Sequence, residues 1–144
     1  MKRARKGFTL VEIMIVVAII VLLAAIAIPS LLRSRLNANE AASLSALRTV
    51  SSSAQSFRAA NPAFPTNLNS LSSATPAYID AVLGAGSKQG YTFGLTGTTN
   101  TFTATARPAT FQTTGVRGFF VDESGVIRYT TLDAAPTSSS PTLE

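Results

Sequence analysis

Any acid–base or metal chemistry in this chain would have to be built from carboxylates, because its 144 residues include seven Asp and Glu but no histidine and no cysteine. Their absence removes disulfides, thiolate nucleophiles, thiolate or imidazole metal ligands and the commonest general base. Asp122 and Glu123 are the one adjacent pair. Paired acids can bind calcium or share acid–base work. In Asp122-Glu123-Ser124-Gly125, however, Asp, Ser and Gly are turn formers in their own right, so a structural turn is the expected role. No nucleophile–base constellation is visible, and the expectation is that the chain is not an enzyme and takes no metal or other cofactor. The remaining carboxylate of interest is Glu12, which stands alone in a long apolar run.

That run dominates the N-terminal segment. From Phe8 to Ile28, twenty-one residues contain only Thr9 and Glu12 as polar members. As a helix they extend roughly 32 Å, enough to cross a hydrocarbon core of about 30 Å. Lys2, Arg3, Arg5 and Lys6 precede the run, and only Arg33 and Arg35 follow closely. The positive-inside bias therefore puts the N-terminus in the cytoplasm and the rest of the chain outside. The same clustering explains the formal charge of +5: beyond Gly7 there are eight Lys or Arg against seven Asp or Glu, so the basic pI is no sign of a nucleic-acid partner.

Two ordinary readings compete for this segment. A secretory signal peptide cut near Ala25-Ile26-Ala27 would have a shorter, uncharged apolar region. A plain uncleaved signal anchor accounts for the length and the basic flank but gives Glu12 no reason to exist. An ionised side chain at the bilayer centre costs about 2.5–3.5 kcal/mol, less for Glu12 because it lies about one turn above the start of the run, so such a residue is expected to be functional and to have a partner. Cleavage between Gly7 and Phe8 would create an α-amine at similar depth. In a packed assembly that amine on one copy neutralises Glu12 on the next.

The run Lys6-Gly7-Phe8-Thr9-Leu10-Val11-Glu12, the apolar helix after it and Ile28-Pro29-Ser30-Leu31-Leu32-Arg33-Ser34-Arg35 resemble the class III signal of type IV pilins and type II secretion pseudopilins. The resemblance covers residues 6 to 36. It implies a prepilin whose basic leader, residues 1–7, is removed after Gly7 by a membrane-embedded aspartyl peptidase that also methylates Phe8. By the same resemblance Glu12 is the assembly carboxylate. A residue without a side chain suits close approach of a protease to the backbone. Pro29 is expected to remove the bond to the Ala25 carbonyl and kink the helix, and the resemblance makes its neighbourhood a place where some assembled filaments lose helix.

Downstream, Leu36, Leu44, Leu47, Val50, Ala54 and Phe57 recur at helical intervals, which extends one helix over 8–60, roughly 80 Å if continuous. Arg33, Arg35, Glu40, Arg48 and Arg58 are assigned to its wet face, and Asn61-Pro62 is the stop. Residues 61–89 read as a connecting loop with short helices over 66–71 and 77–83, the second ended by Gly84. From Gly90 the period changes to two. Tyr91, Phe93 and Leu95, then Phe102, Ala104 and Ala106, alternate with polar residues around Gly97-Thr98-Thr99-Asn100, and 116–121 pairs with 126–130 around the Gly125 turn. The expected product is an α+β, type IV pilin-like fold. A four-stranded antiparallel sheet over 90–131 packs on the amphipathic half of the helix, followed by a flexible tail over 132–144.

The expected function is a structural subunit, held as a single-pass precursor in the cytoplasmic membrane and then built into an extracellular or periplasmic filament. Its expected partners are further copies of itself, the prepilin peptidase and methylase, the membrane, and the assembly platform and motor that the resemblance implies. Pilus subunit is the first reading and secretion pseudopilin the second, since the calcium-type cluster of the major pseudopilin is not evident; the C-terminal disulfide loop of many pilins is also missing, which leaves the branch open. A membrane-anchored binding module whose sheet recognises a ligand is the rival from another class.

Overall fold

The computed structural model describes residues 7–143 and consists of three helices and one sheet. Helix α1 spans Leu10–Ala60, α2 Leu68–Ser72 and α3 Ala81–Gly84. The strands are β1 Ser87–Lys88, β2 Tyr91–Gly97, β3 Phe102–Pro108, β4 Gly118–Asp122 and β5 Ile127–Thr130. The chain divides into two compact units between Ser34 and Arg35, inside α1.

In the first unit nearly every residue of α1 is exposed, and the run is long and apolar enough to cross a membrane. Helical backbone continues through Pro29 without interruption, although Pro29 has no N–H to offer.

In the second unit α1 buries Glu40, Ser43, Ala46, Leu47, Val50, Ser53 and Ala54. These recur every three to four residues, so they form one face. The core they enter includes Tyr91, Phe93 and Leu95 from β2, Phe102, Ala104 and Ala106 from β3, and Phe119 and Val121 from β4. Alternation places these side chains on one face of the sheet, as expected from the period of two. The sheet is antiparallel throughout in the order β1-β2-β3-β4-β5, and β2 and β3 pair from Tyr91↔Pro108 to Gly97↔Phe102. Five strands replace the expected four, because Ser87 and Lys88 pair with Thr92 and Tyr91. Two residues are too few to show alternation.

Between helix and sheet the chain is held by caps and by one aromatic anchor. Asn61 donates from its side chain to the Phe57 carbonyl at 2.9 Å as α1 ends, the stop expected there. Phe64 is buried with its ring 5.0 Å from that of Phe102, and its N–H donates to the Thr98 carbonyl. Asn67 caps α2 by accepting from Ser70 N–H at 2.8 Å, and Asp80 caps α3 by accepting from Leu83 N–H at 2.6 Å. Helix α3 is therefore shorter than the expected 77–83, since its cap lies at residue 80. Lys88 lies 2.7 Å from the other Asp80 oxygen, and this bond, with that from Leu83, holds the Asp80 carboxyl below its ordinary value.

Two further expectations are corrected. Glu40 is not on the wet face: its exposure is 6%, and it faces the β3–β4 connection. The tail beyond Leu132 does not lack fixed partners. Pro136 packs near Gly118 on the outer face of β4, and the chain then returns along β5, with Tyr129 N–H donating to Pro141 and Leu143 N–H to Ile127. Arg128 also donates to the Ser140 carbonyl at 3.1 Å. Composition rich in Pro, Ser and Thr conceals this, because the bonds run through the backbone.

Gly115 sits directly against the buried ring and hydroxyl of Tyr91, and a β-carbon there would overlap both. Gly115→Val should therefore displace Tyr91 and lower stability by about 1–3 kcal/mol, the usual cost of overpacking. A thermal melt indistinguishable from that of the parent protein would show that the contact relaxes freely.

Candidate processing and assembly site

Gly7, Phe8 and Thr9 precede the helix, and α1 begins at Leu10. The Gly7–Phe8 peptide bond thus lies outside regular structure, nothing lies within 4 Å of where a Gly7 β-carbon would be, and Phe8 is 82% exposed. The basic residues of the expected leader, Lys2 to Lys6, fall outside the described residues.

Thr9 and Glu12 are joined reciprocally. Glu12 N–H donates to Thr9 Oγ1 at 3.2 Å, while Glu12 Oε2 accepts from Thr9 N–H at 3.3 Å and lies 3.4 Å from Thr9 Oγ1. This is a capping box, with Thr9 at the cap and Glu12 the third helical residue. It satisfies donors that an α-helix start leaves free, and it places a negative charge where the helix dipole favours one. The box also aims the carboxylate back towards Thr9, the side on which Phe8 lies. Sequence reasoning singled out Glu12 for its charge and overlooked Thr9, although Thr-x-x-Glu before an apolar run is itself a readable signature.

Pro29 is not part of this cluster. It lies seventeen residues further along α1, about 26 Å at 1.5 Å per residue.

A second polar cluster, in the other unit, was missed because the charge of Glu40 outweighed its helical spacing and its partners lie far along the chain. Glu40 Oε1 accepts from Val116 N–H at 2.9 Å and from Arg117 N–H at 3.1 Å, and Oε2 accepts from Arg117 Nε at 2.8 Å. Next to it Asn39 donates to the Thr114 carbonyl at 2.9 Å, and Tyr91 Oη–H donates to the Arg117 carbonyl at 2.9 Å. Burial, reinforced by the Glu40 charge, pushes the Tyr91 phenol far above its ordinary value, so it stays a donor. The cluster pins the β3–β4 connection to α1. Both Glu40 oxygens, the Asn39 amide N–H and the Tyr91 hydroxyl are engaged within it, so it is a structural clamp.

Asp122 and Glu123 take the turn role. Asp122 Oδ1 accepts from Ser124 N–H at 3.0 Å, its carbonyl accepts from Gly125 N–H at 3.0 Å, and Gly125 adopts φ +74°. Among the described residues no group of three or more Asp or Glu side chains is placed to hold a metal ion.

Residues 2–28 match the family model described as the prokaryotic N-terminal methylation motif. Over 117 residues the chain is 33% identical to the type IV wide pilus major component PilA4 of Thermus thermophilus, an alignment that covers 77% of this chain and 89% of that protein. A methylation motif over the exposed Gly7–Phe8 junction, a relative matched through most of its length, and a long apolar helix leading into an α+β sheet unit agree with one another: the chain belongs to the type IV pilin family.

Proposed function

We propose that the protein is a structural subunit of a type IV pilus, made as a prepilin, cut between Gly7 and Phe8, methylated at Phe8 and polymerised through the apolar part of α1. The observation that carries this reading is the start of α1. An accessible, non-helical Gly7–Phe8 bond is followed at once by a capped helix whose apolar surface is exposed on all sides.

In the membrane that surface is solvated by lipid, and in a filament by other copies, so the transfer is close to neutral in hydrophobic terms. The charge on Glu12 is then what sets direction and spacing. Its capping box holds the carboxylate towards the chain end where cleavage creates the α-amine, which on one copy would pair with Glu12 of a neighbour. Before assembly the precursor sits in the cytoplasmic membrane with its N-terminus inside. A peptidase and methylase act there, and a platform and motor extract it. The pilus reading is preferred to the pseudopilin reading because the relative is named as a wide-pilus major component.

The intact mass of the mature protein tests the processing step: the expected value is that of a chain beginning at Phe8 with one added methyl group. A chain beginning after Ala27, or one still carrying Met1 to Gly7, overturns it. Gly7→Leu should leave most of the protein at precursor length, because the added side chain obstructs approach to the scissile carbonyl. A fully shortened Gly7→Leu product would remove Gly7 from the recognition site.

A further inference from the structure

The outer face of the sheet carries a groove of about 600 Å³ that the filament reading does not use. Its floor is Gly94, which has no side chain and pairs with Thr105 across the β2–β3 ladder. Thr92 and its cross-strand partner Arg107 continue the same face. Phe111, from the β3–β4 connection, and Asp133, from the tail, form the walls. The volume lies in the range of small-molecule sites.

We propose that this groove binds a neutral saccharide. Arg107 and Asp133 face each other with Nη2 and Oδ1 3.7 Å apart, too long for a hydrogen bond, and both side chains are largely in solvent. The guanidinium offers only donors and the carboxylate only acceptors, while the threonine hydroxyls are both. Together they match the vicinal hydroxyls of a pyranose, which present a donor and an acceptor at neighbouring positions. Phe111 supplies an apolar ring for the C–H face of such a ligand. The charges balance, so an anion drawn to Arg107 would meet Asp133, and a cation would meet the reverse. Gly94 leaves room that any other residue would occupy.

The test uses the full chain in zwitterionic detergent micelles that lack sugar head groups. Maltose, cellobiose and N,N′-diacetylchitobiose are the probes, inorganic phosphate is the anion control, and binding is followed by ligand-observed NMR. The expected result is binding of at least one disaccharide at about millimolar Kd or tighter, as befits a shallow open site. Arg107→Gln and Asp133→Asn should each weaken it about tenfold or more, the loss typical of hydrogen bonds to charged groups. Both variants should melt like the parent protein, since both side chains are exposed. The proposal is overturned if none of the three disaccharides binds, if both variants bind like the parent, or if phosphate binds in preference. Filament formation is not involved in this measurement, so its outcome and that of the pilus reading are separate.

Discussion

Glu12→Ala protein is expected to insert in the membrane and to be shortened like the parent, yet to give no filaments under the electron microscope. Losing the capping box costs about 0.5–2 kcal/mol, too little to unfold a helix of 51 residues, so a folding defect is not the cause. The larger loss falls at assembly. Without the carboxylate, the α-amine of the neighbouring copy would enter an apolar bundle unpaired, at a cost of up to about 2.5–3.5 kcal/mol by insertion scales, which weakens each addition by up to about a hundredfold. Because additions follow one another, such a factor abolishes long polymers. Glu12→Gln separates the two roles of the side chain. Gln keeps an acceptor for Thr9 N–H but has no charge. It should fail to assemble as Ala does, and normal filaments from it would mean that the cap, not the charge, is what assembly requires.

The second large effect is expected at the clamp of the other unit. Glu40→Ala removes the acceptor for Val116 N–H and Arg117 N–H and the partner of the Arg117 guanidinium. Arg117 is partly exposed and can be rehydrated, so most of the cost comes from the two backbone donors, about 1–3 kcal/mol apiece when left without a partner. A total of about 3 kcal/mol corresponds to a melting temperature lower by roughly 15 °C in a unit of this size. Glu40→Gln, which retains an acceptor but not the charge, should fall between. Circular dichroism melts of the full chain in detergent decide it. An alanine variant within about 2 °C of the parent would show that water replaces the carboxylate at little cost.

These two carboxylates also differ in how visible they are to a local reading of the sequence. Glu12 was legible because its surroundings are uniformly apolar, so one charge stands out against a local background. Glu40 was not. It shares the three- and four-residue spacing of Ser43, Leu47 and Val50, which placed it on the buried face, but its charge argued for solvent and its partners are more than seventy residues away. Long-range pairing leaves no trace in a local pattern. The strands from Tyr91 to Leu95 and from Phe102 to Ala106 were legible because alternation is a local property. Strand β1 was too short to alternate, and the tail joins β5 through backbone groups that every sequence possesses. Thr9 belonged to the readable class, but the capping signature was eclipsed by the stronger membrane signal.

The tail along β5 bears on how a polymer of this chain would come apart. Tyr129 and Leu143 N–H are taken up by pairing between β5 and the tail, and at the opposite border β1 is only two residues long. The β5 border therefore offers no long free row of amides to another copy, so strand addition is blocked on that side, whereas β1 covers only Tyr91 and Thr92 of β2. Subunits joined through helices alone separate when those helices regain lipid, and no ladder of backbone bonds has to be broken. Covering the β5 border with the tail thus removes one place where such a ladder could start.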